Sequence, residues 1–320
     1  MPAPSSSSPT ASPAANASAP SPAPGAGSGS GPASGSGLGP VALVISAGVS
    51  VQFGAALAVM IMPRAGAAGV VTLRLAAAAI VLLLLCRPKV RGYSRSDWGT
   101  VLAFGVAMAG MNGLFYQAID RIPLGPAVTL EVLGPLALSV IVSRRLVNVL
   151  WAGLALGGVV LLSGHGGGGL GFGSLDPLGA AYALGAGVMW AAYIVYSART
   201  GRRFPQADGL ALAMAVAAVI SLPLGIAGAG SDLLVPSTIA LGVGVAVLSS
   251  VLPYTLELLA LRRMPAPTFA ILMSLEPAIA ATAGFLVLNQ AMSALDALAI
   301  ALVIAASMGA VRSQIRKQAA

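Results

Sequence analysis

Residues 66–86 read GAAGVVTLRLAAAAIVLLLLC, an apolar run in which Arg74 is the only charged residue. The hydrocarbon core of a bilayer is about 30 Å thick, and an α-helix needs about 20 apolar residues to cross it. This run therefore predicts a transmembrane helix. It is followed at once by four basic residues, Arg87, Lys89, Arg91 and Arg95. Basic clusters of this kind mark the cytoplasmic end of a membrane span.

The rest of the chain has the same apolar character. Of its 320 residues, 57% are hydrophobic and only 8% are charged, which is far more apolar than the surface of a soluble protein tolerates. The net charge of +8 does not indicate a nucleic-acid-binding protein, because the basic residues lie at the ends of apolar runs and form no continuous patch. Residues 1–40 differ, since they combine Pro, Ala, Ser and Gly without a charged side chain. They are predicted to form a disordered tail that is dispensable for the membrane-embedded part of the chain.

Apolar runs recur after the tail, and they predict an all-α integral membrane protein with ten transmembrane helices. The helices are expected near residues 41–62, 66–86, 98–118, 124–143, 148–163, 176–197, 207–228, 237–260, 266–288 and 293–311. Fourteen of the seventeen Lys and Arg residues lie in the even-numbered connections or the C-terminal tail, against Arg64 and Arg121 in the odd-numbered ones. This asymmetry predicts a multi-pass protein of the bacterial inner membrane with both termini in the cytoplasm.

An offset of 142 residues aligns the chain with itself. Two motifs recur at this offset: Arg121-Ile-Pro123 with Arg263-Met-Pro265, and Gly134-Pro135 with Glu276-Pro277. The offset predicts five-helix repeats at 41–163 and 176–312, a Gly-rich connection at 164–175 and a cytoplasmic tail at 313–320. Because five is odd, the repeats must be inverted, and inverted repeats place a substrate site near the membrane midplane. A coincidence of prolines at helix ends is the alternative interpretation.

Two carboxyl groups are the strongest candidates for a site inside the bilayer. An ionisable side chain costs ~2.5–3.5 kcal/mol to insert at the centre of a span, so it needs a partner or a wet cavity. Glu276 precedes Pro277, whose ring loosens the helix and favours a polar cavity. Glu131 lies in the corresponding region of the other repeat. Two such acids suit the recognition of a substrate amine or the carriage of a proton.

Further polar residues are expected at similar depths. Arg74 could pair with Glu131, either as a structural ion pair or facing the substrate. Asn112 and Tyr116 share one face of the third helix and are expected to line the same cavity as Glu131. The weaker candidates are Gln52, Tyr254, Trp190 and Tyr193, for which capping or interfacial roles are the alternatives.

Glu257 has a different interpretation. It lies close to Arg262 and Arg263 at the inner end of the eighth span. The sequence therefore predicts a snorkelling ion pair at the inner membrane surface for Glu257.

The sequence offers little for catalysis or for metal binding. Cys86 and His165 are the only cysteine and histidine, so a disulfide, a thiolate cluster or a zinc site of several histidines cannot form within the chain. Ser163 and His165 lie near each other without an acid to orient the histidine. We predict no catalytic residue, no metal and no cofactor, and an intramembrane enzyme is the weakest alternative.

Three stretches resemble a known family. They are GMNGLFYQAIDRIPLGPAVTLEVLGPLALSVIVSRR at 110–145, LPYTLELLALRRMPAPTFAILMSLEPAIAA at 252–281, and VTLRLA around Arg74. Over most of residues 41–312 the chain resembles EamA-type members of the drug/metabolite transporter superfamily. The resemblance implies ten helices in two inverted five-helix repeats, and proton-driven export of amino acids such as threonine and homoserine.

The family pattern also points to particular residues. It keeps Gln52, Arg74, Asn112, Tyr116, Glu131, Tyr254, Glu257, Glu276 and Pro277, all of which are present here. The long N-terminal tail departs from the pattern. The leading hypothesis is export of a small zwitterionic metabolite by alternating access, with no nucleic-acid partner and with the oligomeric state left open. The alternative keeps the fold and changes the cargo to another metabolite, a drug or a sugar nucleotide.

Overall fold

The computed structural model describes residues 38–143, 150–151, 153–155, 157–158, 161, 175–205, 208–261, 263–264 and 266–318. These residues all belong to the second of two units, Met1–Ser36 and Gly37–Ala320. The predicted tail lies outside the described residues except for 38–40, which are helical. The first helix thus begins three residues before the predicted start, because Pro40 lies in its first turn, where a missing amide hydrogen costs nothing.

The described residues form helices, and no strand lies among them. In chain order the helices are α1 (Leu38–Cys86), α2 (Arg95–Ile119), α3 (Leu124–Ser143), α4 (Pro177–Gly201), α5 (Asp208–Ala229), α6 (Pro236–Ala246), α7 (Leu252–Leu261), α8 (Ala266–Met273), α9 (Glu276–Leu288) and α10 (Ala294–Gln318). A 3₁₀ turn (Gly230–Leu234) follows α5, and a π-helical segment (Val247–Val251) joins α6 to α7. The described residues between 150 and 161 are also helical.

Within the described ranges, seven stretches are long and apolar enough to cross a membrane. They are Gly39–Cys86, Arg95–Ile119, Pro177–Gly201, Asp208–Leu234, Pro236–Glu257, Ile271–Leu288 and Ala294–Arg312. A shorter apolar helix, Leu124–Leu138, lies in α3. The predicted class, an all-α membrane protein, is confirmed. The number of ten spans stays a prediction, and part of the predicted fifth span falls outside the described residues.

The longest helix, α1, folds back on itself at Gly66. This residue has φ 62° and ψ 166°, a backbone conformation that is essentially restricted to glycine. Ser50 and Arg74 lie on opposite sides of it, yet they bond to the carbonyl oxygens of the neighbouring residues Leu248 and Ser249. A straight helix would separate Ser50 from Arg74 by about 36 Å. The two arms of α1 therefore lie close together, and the chain turns at one residue where the sequence predicted a short connection.

The helices before residue 164 pack mainly against helices after residue 175. The arms of α1 contact α5, α6, α7 and α9, while α2 contacts α4 and α5. Helix α3 contacts α4, α9 and α10. Small residues permit the closest of these approaches: a Cβ atom on Gly134 of α3 would overlap the backbone carbonyl of Gly187 in α4.

Two predicted spans are less regular than the sequence suggested. The ninth span was expected to be one helix over 266–288, but α8 ends at Met273 and α9 begins at Glu276. Pro277 has no amide hydrogen to donate to the Met273 carbonyl, so the helix breaks there. The eighth span contains the π-helical segment immediately before Leu252 and Pro253. Both irregular places lie beside the cavity described next.

Candidate functional site

A cavity of about 470 Å³ lies among α1, α2, α3, α4, the π-helical segment and α7 to α10. This volume is in the range typical of small-molecule sites. Its polar lining residues include Gln52, Arg74, Asn112, Glu131, Ser249, Glu257, Ser274, Glu276 and Ser307. Its larger apolar and aromatic lining residues include Phe115, Trp190, Tyr193, Phe269 and Met273. The cavity therefore joins an apolar wall to a small set of polar groups from both halves of the chain.

Among the described residues, the ionisable groups of the cavity are three carboxyl groups and one guanidinium. Glu131, Glu257 and Glu276 come from α3, α7 and α9, and Arg74 comes from α1. The Glu276 carboxyl lies within electrostatic range of both other carboxyl groups, and Glu131 also lies within range of Arg74. Charges interact strongly where water is largely excluded. A zwitterion, which carries an ammonium and a carboxylate, is chemically complementary to this set.

Arg74 is held by three groups, one from α2 and two from the π-helical segment. Its Nη1 donates to the Tyr116 hydroxyl at 3.2 Å, and its Nη2 donates to the Ser249 carbonyl at 3.0 Å. Its Nε donates to the Ser250 hydroxyl at 3.4 Å. A guanidinium has five N–H donors, so two of them have no acceptor in the part of the chain that the structure describes.

The pairing of Arg74 with Glu131, which the sequence allowed, is not formed among the described residues. The ion pairs of the described residues are Arg121 with Asp176 and Arg203 with Asp97. Arg74 turns instead to Tyr116 and to the π-helical segment, although it lines the same cavity as Glu131.

The structure brings together five of the seven residues predicted for the site. Arg74, Glu131, Glu276, Asn112 and Gln52 all line the cavity. The sixth, Tyr116, is 0% exposed and reaches the cavity only through its hydrogen bond to the guanidinium. The seventh, Tyr254, lies in α7, but its side chain falls outside the described part of the chain. Their roles stay predictions.

The structure corrects the prediction that was made for Glu257. The sequence placed it in an ion pair with Arg262 and Arg263, whereas the structure places it in the cavity wall. Arg263 is exposed and makes no ion pair with Glu257 within the described ranges, and Arg262 lies outside them. A few residues of sequence separation place a side chain near the membrane surface, but they do not decide which face of the helix it occupies.

Sequence reasoning missed the serines that line the cavity, which include Ser249, Ser274 and Ser307. Gln52 Oε1 and Ser307 Oγ are buried and have no hydrogen-bond partner among the described residues, and both side chains line the cavity. Buried polar atoms are nearly always paired, so these two are available to a ligand. Serines are common in membrane helices as packing residues, which is why Ser307 gave no signal. The one usable signal was the pair Ser249-Ser250 shortly before Pro253. No cluster of His, Cys, Asp and Glu suited to a metal ion occurs in the described ranges.

Sequence comparison finds relatives of this chain among known transporters. A model of the EamA-like transporter family matches residues 177–312. The threonine/homoserine exporter RhtA of Salmonella typhimurium (strain SL1344) is 41% identical over 260 residues, which cover 81% of this chain and 87% of the relative. RhtA of Escherichia coli (strain K12) is 40% identical over 276 residues, or 86% of this chain and 92% of the relative.

A solved crystal structure has a similar fold. It is 20% identical in sequence, with a TM-score of 0.56, and the match covers 87% of this chain and 98% of that chain. At 20% identity the similarity to this crystal structure concerns the fold alone. The two RhtA exporters, in contrast, are similar to this chain in sequence over most of their length. The chain belongs to the EamA-like transporter family.

Proposed function

We propose that this protein exports threonine, homoserine and related small amino acids across the bacterial inner membrane. The observation that carries the proposal is the identity of about 40% to relatives named threonine/homoserine exporters, over most of both chains. The cavity supports it, because carboxyl groups and a guanidinium with two unused donors are complementary to the two charges of an amino acid. Glu131 and Glu276 bind the ammonium group or carry the coupling proton. Arg74 binds the carboxylate, while Asn112 and Gln52 orient the remainder.

The position of the cavity supports the uptake of substrate from the cytoplasm. Several lining residues lie near the predicted inner ends of their helices: Glu257 shortly before Arg263, and Val311 next to Arg312. Arg74 and Tyr116 lie nearer the predicted outer ends of their helices, where the Tyr116 hydroxyl accepts from the guanidinium. This placement suits an exporter that takes up its substrate from the inside. Alternating access then requires the outer contacts to open while the inner end closes.

We further propose ten transmembrane helices in two inverted repeats. Helix boundaries support the offset of 142 residues: the turn at Gly66 corresponds to the start of α5 at Asp208, and the end of α2 at Ile119 corresponds to the end of α7 at Leu261. The starts of α3 and α8, at Leu124 and Ala266, correspond as well. The two arms of α1 count as two spans in this arrangement.

The two ion pairs support the predicted topology. Arg121 and Asp176 bond at 3.2 Å and belong to two connections predicted to lie outside. The backbone N–H of Leu178 and the Arg121 guanidinium hold the pKa of Asp176 below its usual range. Arg203 and Asp97 bond at 2.5 Å and belong to the inner side. Each pair thus joins connections of the same predicted side.

A fluorescent reporter that matures only in the cytoplasm tests this topology. We expect signal when it follows Ala320 and none when it is inserted within 166–173, because the basic residues favour a cytoplasmic C-terminus. A fusion after Arg203 is the control and should be fluorescent. Signal from 166–173 with none from the C-terminus would contradict the ten-span arrangement.

Transport itself is tested in inside-out vesicles. We expect labelled threonine and homoserine to accumulate in vesicles that contain the protein, and a proton gradient to increase that accumulation. Vesicles from cells without the protein are the control. Equal accumulation in both preparations would reject threonine and homoserine as substrates, and competition by other metabolites would then identify the cargo.

A further inference from the structure

Pro253 follows the π-helical segment and Leu252, at a position where a proline removes one backbone hydrogen-bond donor. The amide of Leu252 donates to the Val247 carbonyl, five residues back, as a π-helix requires. The next donor would be residue 253, which could reach the carbonyl of Leu248 or of Ser249. As a proline it has no amide hydrogen.

Both carbonyls accept from the arms of α1. The Ser50 hydroxyl donates to Leu248 O at 2.6 Å, and Arg74 Nη2 donates to Ser249 O at 3.0 Å. An unpaired backbone carbonyl is costly in a membrane protein, so it is a strong acceptor for any donor within reach. Pro253 itself lines the cavity, directly beside the place where the guanidinium is held.

We infer that Pro253 is a positioning residue for Arg74: by withholding an amide hydrogen it keeps the Ser249 carbonyl free, and this carbonyl fixes the direction of the guanidinium. With Nη2 on Ser249 and Nη1 on Tyr116, the two unused N–H donors have a defined orientation. The role in transport rests on the proposed function, in which these donors bind the substrate carboxylate. The hydrogen-bond exchange itself does not depend on the substrate.

The sharpest test compares two variants that have the same side chain and differ only in whether the backbone carries an amide N–H or an ester oxygen at residue 253. Pro253→Ala supplies an amide N–H that competes with Arg74 for the Ser249 carbonyl. Lactic acid, the α-hydroxy analogue of alanine, can be placed at the same position by nonsense suppression in cell-free synthesis, and it has the same methyl side chain without the N–H. We expect the KM for threonine to rise roughly tenfold in the alanine variant, as for a lost hydrogen bond to a charged group. The lactic acid variant should stay close to wild type.

Two further measurements separate positioning from packing. Threoninol, which lacks the carboxylate, should compete almost equally well against both variants, because only carboxylate recognition is disturbed. Pro223→Ala is the matched control, since Pro223 is also inside a helix but is exposed and away from the cavity. Its KM should not change.

A readout without transport keeps this inference distinct from the proposed function. The rate at which phenylglyoxal modifies Arg74, followed by mass spectrometry, should rise severalfold in the alanine variant and not in the lactic acid variant. If wild-type vesicles transport neither amino acid, the proposed function fails and this rate still decides the inference. Equal Arg74 reactivity in the two variants would overturn it, because the amide hydrogen would then be irrelevant.

Discussion

Glu131→Gln and Glu276→Gln are each expected to lower threonine transport in inside-out vesicles by about a hundredfold, at unchanged membrane abundance. Glutamine keeps the size and the hydrogen-bonding capacity of glutamate but cannot carry a charge or release a proton. The two acids come from α3 and α9 and face one cavity, where Glu276 is only 9% exposed. A packing role would survive the change, whereas binding of an ammonium group or carriage of a proton would not.

Asp232→Asn is the matched control for the two glutamine variants. Asp232 is an exposed carboxylate in the 3₁₀ turn after α5, and it does not line the cavity. The transport rate of the Asp232→Asn variant should equal that of the wild type. Wild-type transport by both glutamine variants would reduce Glu131 and Glu276 to structural groups and would move the substrate site elsewhere.

Gly134→Ala is expected to destabilise the protein by about 3 kcal/mol or more, and to lower its melting temperature in detergent by roughly 10 °C. The added methyl group would overlap the carbonyl of Gly187, which belongs to the backbone of α4 and cannot rotate away. Helices α3 and α4 must therefore separate. Since Glu131 lies one turn before Gly134, the cavity wall would move with them.

Gly113→Ala is the control for this crossing. Gly113 is also a helical glycine, in α2, but a Cβ atom there would meet nothing within 4 Å. Alanine favours a helix more than glycine does, so this variant should be as stable as the wild type or slightly more stable. Equal melting temperatures for Gly134→Ala and Gly113→Ala would show that the α3–α4 contact is looser than the structure indicates.

The sequence was sufficient for features that depend on the bilayer itself. The thickness of the hydrocarbon core sets the length of an apolar run, so the membrane class and most helix positions could be predicted. The insertion cost of a charged group also depends on the bilayer and not on neighbouring helices. It singled out Arg74, Glu131 and Glu276, which the structure places around one cavity.

The features that sequence reasoning missed depend on which neighbour a side chain meets. Glu257 was predicted to pair with nearby arginines because the sequence gives the separation of these residues along the chain. It does not give the direction in which each face of the helix points. The contacts of Arg74 with Ser249 and Ser250 join residues about half the chain apart, and they require the fold-back of α1 at Gly66. A glycine in an apolar run does not by itself predict such a turn, because most glycines in membrane helices permit close packing between helices.

The contacts of Arg74 also impose an order on biosynthesis. Tyr116 is synthesised 42 residues after Arg74, and Ser249 follows 175 residues after it. At about 5–20 residues per second, the ribosome supplies the tyrosine after about 2–8 s and the carbonyl after about 9–35 s. Between the synthesis of Tyr116 and that of Ser249, the nascent chain contains an arginine in the membrane. Of its three partners in the folded protein, only the Tyr116 hydroxyl has then been made. A ribosome that stalls before residue 249 thus leaves an arginine in the lipid without its later partners, and we expect membrane quality-control proteases to degrade such a truncated chain.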